Sequence, residues 1–451
     1  MPAAEVSPSP RRVLPQRIRR LTDELDRPPG QLDRVLADFW DAVDRSGTPL
    51  VEPIEDDPDR EEVTFLWRGA PNTERVVLVM SGLRRDHPED AALERVPGTD
   101  VWFLGLRLRS DQRSSYRFAV RPRPDSPQAG PDTSRAGPDT SESHPAVGAA
   151  GADNSADEWR RLMLSAVPDP LNRVLLPGRW DQAASSILAL SRAPEDSWTV
   201  LEDDHGTGSL VRHRLASRAL NDERDVWVYR PPQEDDHDEV DHQDPVLVLC
   251  DGDRWFGELG LQHRLDAMIN SGALPPLIVL APDSVDLSTR WRELSAHDPY
   301  LRFLADELLD WASGRWHLTE DPSRTVIAGQ SLGGLTAFYA GLNRPDRFGA
   351  LLGQSPSLWW HPGLPVGNPH PVGVDSCWLA EQYAAVDRLP SGVELQVGLL
   401  EGQLVDFSRE LGRVLERRGV PVTRTEYNGG HDYACWQVGL LDGLRRLASN
   451  F

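Results

Sequence analysis

Arg324-Thr325-Val326-Ile327-Ala328-Gly329-Gln330-Ser331-Leu332-Gly333-Gly334 is the stretch that decides how this chain is read. Thr325–Ala328 reads as a short buried strand, and the apolar pattern of Leu332–Leu342 predicts a helix directly after it. Between them stands Gly-x-Ser-x-Gly. A strand, a sharp turn and a helix are the context that turns such a serine into a nucleophile, because the turn lifts its hydroxyl clear of the sheet. Gly329 and Gly333 leave room where a Cβ would collide with neighbouring chain. The residues point to a serine hydrolase or acyl transferase.

Working outward, strands and helices alternate from about residue 207. Leu210–Ala216, Val226–Tyr229, Val246–Cys250, Leu277–Leu280, Thr325–Ala328, Ala350–Gly353, Leu395–Gly398 and Val422–Glu426 read as strands. Helical patterns fall at Leu259–Ile269, Tyr300–Ala312, Leu332–Leu342, Gln403–Arg418 and Trp436–Leu447. Two leading strands followed by a βα series predict a mixed, mainly parallel sheet with helices on both faces. That is the α/β-hydrolase order, with Ser331 after the fifth of eight strands.

A serine hydroxyl is a poor nucleophile near neutral pH. It needs a base within reach, and the base needs an orienting acid. In this fold the order along the chain is serine, acid, histidine. Of the histidines after Ser331, His361 and His370 lie in a Pro/Gly-rich loop, whereas His431 follows the last strand in Asn428-Gly429-Gly430-His431-Asp432-Tyr433. His431 is the expected base. The acid belongs after Leu395–Gly398, where Glu401 is the first carboxylate and Asp406 the alternative. The N–H of Leu332 is one expected oxyanion donor, and the second comes from Asp251-Gly252-Asp253, with Gly252 preferred over Asp253.

Upstream, Val63–Trp67, Arg75–Met80, Val101–Leu108 and Ser115–Val120 alternate at hairpin-like spacing, which predicts an antiparallel β-sandwich. The expected division is a flexible arm over 1–32, an all-β sandwich domain over 33–185, a linker over 186–206 and the catalytic domain over 207–451. Residues 121–156 repeat Ala129–Ser134 at Ala136–Ser141 with almost no large apolar side chains, so they read as a disordered insertion.

Composition narrows the partners. The 451 residues carry a formal charge of −23 and no lysine, which disfavours nucleic acid and anionic membranes. No apolar run is long enough to span a bilayer, and the N-terminus lacks a secretory h-region. Cys250, Cys377 and Cys435 are widely spaced and form no Cys-x-x-Cys, so a reducing, cytoplasmic setting without a disulfide framework or zinc is expected. Oligomeric state is not legible.

A set of motifs in order then narrows the substrate. Leu247–Trp255 carries Asp-Gly-x-x-Trp; Ser288-Thr289-Arg290-Trp291-Arg292-Glu293-Leu294, Val326–Gly334, Gln354-Ser355-Pro356-Ser357-Leu358-Trp359-Trp360 and Gly429–Trp436 follow. Together with Pro97–Trp102 and Asp169–Asn172 upstream, they resemble the enterochelin (ferric enterobactin) esterases over about 33–451, outside the insertion. The resemblance implies an N-terminal Ig-like domain and cytoplasmic hydrolysis of the ester bonds of a ferric catecholate trilactone. Iron is carried by that substrate, so no protein cofactor or metal site is expected. The ferric tris-catecholate is a trianion, so a local positive contact is expected from Arg290, with Arg292 and Arg254 as weaker candidates. Trp255 and Trp360, rather than Trp359, are the expected stacking partners of the catechol rings. The alternative is a general carboxylesterase, feruloyl-type esterase or acyltransferase on the same fold.

Overall fold

The structure, a computed structural model, describes residues 10–25, 32–83, 88–123, 164–180, 182–196, 198, 206–232, 243–364, 374–449 and 451. The chain divides into two compact units. One holds the described residues up to Ser191 except Asp111–Ser114; the other holds Arg192–Phe451 and that short segment.

The N-terminal unit is built on strand alternation. Its strands are β1 (Arg11–Val13), β2 (Leu50–Pro53), β3 (Arg60–Arg68), β4 (Thr73–Met80), β5 (Glu94–Arg95), β6 (Val101–Arg109), β7 (Arg113–Pro122), β8 (Leu175–Leu176) and β9 (Ser185–Ala189). One sheet runs β1-β6-β3-β2 with β5 on β6; the other runs β4-β7-β9-β8. Side chains on a strand alternate between faces. Val63, Phe65, Leu104 and Leu106 therefore join Val76, Leu78, Tyr116 and Phe118 of the other sheet in one core. The opposite parity, Leu66, Val101 and Phe103, packs with Ile18, Leu21, Trp40 and Val43. Those last four belong to helices Gln16–Leu25 and Leu32–Ser46, which cover the outer face of the first sheet. Asp169 is buried and accepts from Thr48 Oγ1 at 2.7 Å, Tyr116 Oη at 2.8 Å and the Leu171 N–H at 2.9 Å.

Three expectations are corrected here. The stretch read as an arm over 1–32 contains β1, paired with β6, and the helix Gln16–Leu25 with Ile18 and Leu21 buried. The domain is not all-β, because Val35, Leu36, Phe39, Trp40 and Val43 recur at helical rather than strand spacing. The linker expected from 186 begins inside β9, and the second unit starts at Arg192, ahead of 207. Of the insertion expected over 121–156, residues 121–122 end β7 and 124–156 lie outside the described residues.

The second unit carries an eight-stranded sheet: β10 (Ser209–Ser217), β11 (Asp222–Arg230), β12 (Val246–Leu249), β13 (Ile278–Pro282), β14 (Thr325–Gln330), β15 (Ala350–Gln354), β16 (Gly392–Gly398) and β17 (Val422–Tyr427). Its order is β10-β11-β13-β12-β14-β15-β16-β17. β10 and β11 pair antiparallel, as do β11 and β13, and every later pair is parallel. Each expected strand is present, displaced by a few residues at its ends. The helices Leu287–Leu294 and Trp378–Ala385 were not expected from the sequence. Among the described residues, no helix is long and apolar enough to cross a membrane.

The strand order locates the site. From β12 the chain crosses to β13 on one side, and from β13 it returns to β14 on the other. Such a reversal leaves a crevice beyond the carboxyl ends of the strands. The loops after β12, β14, β15, β16 and β17 all end at this edge.

Candidate active site

Ser331 follows β14 directly and caps helix Leu332–Asn343 with φ 58° and ψ −118°. A non-glycine residue at positive φ is costly, on the order of 1–3 kcal/mol, and persists where its surroundings over-determine it. Here the Ser331 N–H donates to Gln354 O at 3.0 Å, and Ser331 O accepts from Ser357 N at 3.0 Å and Leu335 N at 3.0 Å. The turn is so tight that a Cβ on Gly329 would stand 2.3 Å from the Gly333 carbonyl carbon. Leu332 opens the helix, so its N–H belongs to the first turn, where no intrahelical acceptor exists and the helix end is positive.

Glu401, not Asp406, meets the histidine. His431 Nδ1 lies 2.7 Å from Glu401 Oε2. The other carboxylate oxygen, Oε1, accepts from Ser355 Oγ at 2.6 Å and from the Gly398 N–H at 2.7 Å. The Glu401 side chain is 4% exposed, so these bonds satisfy a carboxylate that burial would otherwise penalise. Asp406 sits on helix Gln403–Arg417 beside Arg409 at 3.7 Å. The edge of His431 packs on Trp436, with ring centroids 4.7 Å apart. Trp436 Nε1 in turn donates to Ser355 Oγ at 3.0 Å and Tyr427 Oη at 3.1 Å. Burial, then Glu401, pushes the Tyr427 hydroxyl well above its ordinary range, so it stays protonated.

Among the described residues, no hydrogen bond joins Ser331 Oγ to His431. The segment after β15 connects their surroundings instead: Ser357 Oγ lies 3.4 Å from Ser331 Oγ, and Ser355 holds Glu401. Contacts between nucleophile and base are often loose until substrate is bound. Ser355 and Ser357 were missed at the sequence level. Their signal was available, because Ser355-Pro356-Ser357 directly follows Gln354, the end of the strand next to the one that leads into Ser331.

Below these groups runs a ladder of buried amides. Trp255 Nε1 donates to Gln330 Oε1 at 2.9 Å, Gln330 Nε2 to Gln354 Oε1 at 3.0 Å and Gln354 Nε2 to Gln396 Oε1 at 2.8 Å. Gln396 Nε2 closes the chain on Gly439 O at 2.8 Å. The three glutamines are in register across β14, β15 and β16, and all are fully buried.

The expected substrate contacts are only partly open to substrate. Trp255 is fully buried, with its N–H spent on Gln330, so it cannot stack on a ligand; that expectation is corrected. Trp360 is half-buried and edge-on to Trp378 at 5.3 Å, and Trp359 lies 6.2 Å from Trp291. Arg290 is held by a buried carboxylate: its Nε and Nη2 donate to Asp251 Oδ1 and Oδ2 at 2.7 and 2.8 Å. Glu293, three residues on along the same helix, binds Arg224 at 2.6 and 2.9 Å. Arg254 is buried against Glu258 and lies over the Tyr433 ring at 4.6 Å. Of the three arginines, only Arg292 is largely solvated, with 55% of its side chain exposed. Gly252 packs on β13 so closely that a Cβ would stand 2.1 Å from Ala281 O. Among the described residues, no group of three or more His, Cys, Asp or Glu is placed to hold a metal ion.

Comparison with known proteins agrees with this architecture. Residues 217–447 match the family model described as putative esterase, and residues 62–199 match that of the enterochelin esterase N-terminal domain. The chain is 31% identical over 437 residues to an iron(III) enterobactin esterase of Dickeya dadantii, covering 91% of this chain and 92% of that protein. It is 30% identical to an iron(III) salmochelin esterase of Escherichia coli O6:H1, covering 91% and 93%. The crystal structure of an enterobactin esterase from Shigella flexneri in the presence of enterobactin superposes with a TM-score of 0.70 at 26% identity, covering 92% of this chain and 98% of that one. Both units take part in these similarities: the chain belongs to the enterochelin esterase family and is a carboxylic ester hydrolase.

Proposed function

We propose that this chain hydrolyses the ester bonds of a ferric catecholate trilactone of the enterobactin type, with Ser331 as nucleophile, His431 as base and Glu401 as its orienting acid. The observation that carries the chemistry is the 2.7 Å contact between His431 Nδ1 and a buried Glu401 at the same strand edge as Ser331. The substrate class is supported by relatives similar over nearly the whole chain that are named for enterobactin and salmochelin. Strand order supports an α/β-hydrolase domain, and two antiparallel sheets sharing one core support an Ig-like domain with two added helices. Three unpaired, buried cysteines support a reducing, cytoplasmic setting.

The steps follow from the groups. Glu401 holds Nδ1–H, which leaves Nε2 of His431 as the acceptor. Ser331 Oγ attacks the ester carbonyl while Nε2 takes its proton. The resulting oxyanion is received by the N–H groups of Leu332 and Gly252, each worth about 3 kcal/mol in the transition state. Collapse expels the serine-derived alkoxide, which takes its proton from His431 and leaves an acyl-enzyme. Water, deprotonated by His431, then attacks the acyl carbon; the carboxylic acid departs and Ser331 recovers its proton. Iron enters and leaves with the substrate, so no cofactor of the protein takes part. Trp360 offers a half-buried ring face to a catechol, and Arg292 an exposed positive charge to the trianion.

The test compares kcat/KM on ferric enterobactin with that on a simple aryl ester. At least about 100-fold preference for the siderophore is expected, and a preference for the aryl ester sinks the assignment.

A further inference from the structure

We propose that Arg290 is a positioning residue of the oxyanion hole, tying together the two loops that supply its N–H donors, rather than a receptor for the substrate's charge. The inference rests on the reading of Ser331 as nucleophile and of Leu332 and Gly252 as donors.

Each expected donor follows a strained residue. Asp251 precedes Gly252 and has φ 65°; Ser331 precedes Leu332 and has φ 58°. Neither is glycine, so neither conformation is common for its residue, and the contacts below hold each in place. The direction of an N–H is set by the ψ angle of the residue before it. Asp251 and Ser331 therefore aim the two donors.

Arg290 touches both sides. Its Nε and Nη2 grip the two oxygens of Asp251 at 2.7 and 2.8 Å, and Nη2 also donates to Gln330 O at 3.3 Å. Gln330 O belongs to the peptide whose N–H, that of Ser331, donates to Gln354 O at 3.0 Å. The Gln330–Ser331 peptide is thus held at both its carbonyl oxygen and its N–H. Asp251 is fully buried; Ser284 Oγ also donates to its Oδ1, and its carbonyl accepts from Arg254 N at 3.0 Å and Trp255 N at 3.1 Å. A second tie, from Trp255 Nε1 to Gln330 Oε1, joins the same two loops. Helix Leu287–Leu294, anchored by Asp286 accepting from Thr289 N at 2.7 Å, delivers Arg290 to this point. A planar fork can serve two carboxylate oxygens and a carbonyl together, whereas an ammonium is a compact point charge. Misplacement of a transition-state donor by about 1 Å costs about 100-fold in rate.

The experiment uses p-nitrophenyl acetate, a neutral ester with no anion to bind. S331A first establishes that turnover belongs to Ser331; retained turnover there defeats the nucleophile reading and this inference with it, whereas abolished turnover leaves the Arg290 variants to decide the inference alone. In the full chain, R290Q is expected to lower kcat about 100-fold with KM within about twofold of wild type. Its rate of inactivation by a fluorophosphonate, whose phosphoryl oxygen enters the oxyanion hole, should fall in parallel. In the S331A background, R290Q should leave the Kd for a ferric tris-catecholate within about twofold. R290K keeps the charge beside Asp251 and loses the fork; a loss of about tenfold in kcat is expected, and this variant decides the matter if R290Q does not fold. A kcat within about threefold of wild type in the folded variant overturns the proposal, as does a weakened Kd with unchanged acetate turnover.

Discussion

Ser355 Oγ lies 2.6 Å from Glu401 Oε1, on the carboxylate oxygen that does not face His431. The Glu401 carboxylate is therefore held by a hydroxyl from the neighbouring strand end as well as by the Gly398 N–H. Hydrogen bonds to charged groups are worth about 1.5–3 kcal/mol. S355A is expected to lower kcat about tenfold while KM stays within about twofold. Steady-state kinetics on an aryl ester checks this; an unchanged kcat shows that Gly398 alone suffices.

Glu401→Gln keeps the shape and removes the charge that stabilises the imidazolium. A loss of about 10²- to 10⁴-fold in kcat is expected. Asp406→Asn should stay within about twofold of wild type, because Asp406 pairs with an exposed helix neighbour, Arg409, and not with His431 among the described residues. The reverse pattern would move the acid role to Asp406.

These residues mark where the sequence was legible and where it was not. The strand ends and the turn at Ser331 were readable because a parallel sheet demands short apolar runs at regular spacing, and Gly329 and Gly333 mark the elbow; the position of His431 after the last strand was readable for the same reason. Glu401 was preferred by distance along the chain, but only its contact with His431 separates it from Asp406. The buried state of Trp255 was invisible, since an indole that caps a glutamine ladder and one that stacks on a ligand have the same sequence. The partner of Arg290 was hidden for a similar reason: Asp251 is 39 residues away in the chain. The helix Leu32–Ser46 was hidden by proximity to clear strands, although its own spacing was helical.

The glutamine ladder makes a stability prediction. Gln354→Leu strands the Gln330 Nε2 donor and the Gln396 Oε1 acceptor, both fully buried. Each orphaned group costs about 1–3 kcal/mol. A loss of about 2–4 kcal/mol in urea unfolding is expected; a change below about 0.5 kcal/mol contradicts the ladder.

The two tryptophans should separate by readout. W255F removes a buried donor to Gln330 and should lower Tm with little change in substrate Kd measured in the S331A background. W360A should raise that Kd several-fold with Tm nearly unchanged. Exchange of these two effects would restore Trp255 as a ligand contact.

His297 gives a pH prediction. Burial holds its pKa below the ordinary 6.5, and among the described residues its Nδ1 has no hydrogen-bond partner. The unfolded chain therefore takes up this proton before the folded one does. The stability contributed is present above pH 6.5 and lost as pH falls below it. H297Q should show a shallower decline in Tm between about pH 7 and 5 than wild type; parallel curves would exclude His297 as a source of acid sensitivity.

Ester hydrolysis of an iron-loaded catecholate trilactone by Ser331 leaves products of defined mass. Mass spectrometry of ferric enterobactin incubated with the wild-type chain and with S331A tests it most directly. Linear trimer, dimer and monomer of the dihydroxybenzoyl-serine unit are expected, one water gained per ester bond cleaved, with none formed by S331A. Intact trilactone after wild-type incubation, under conditions where an aryl ester is turned over, would contradict it.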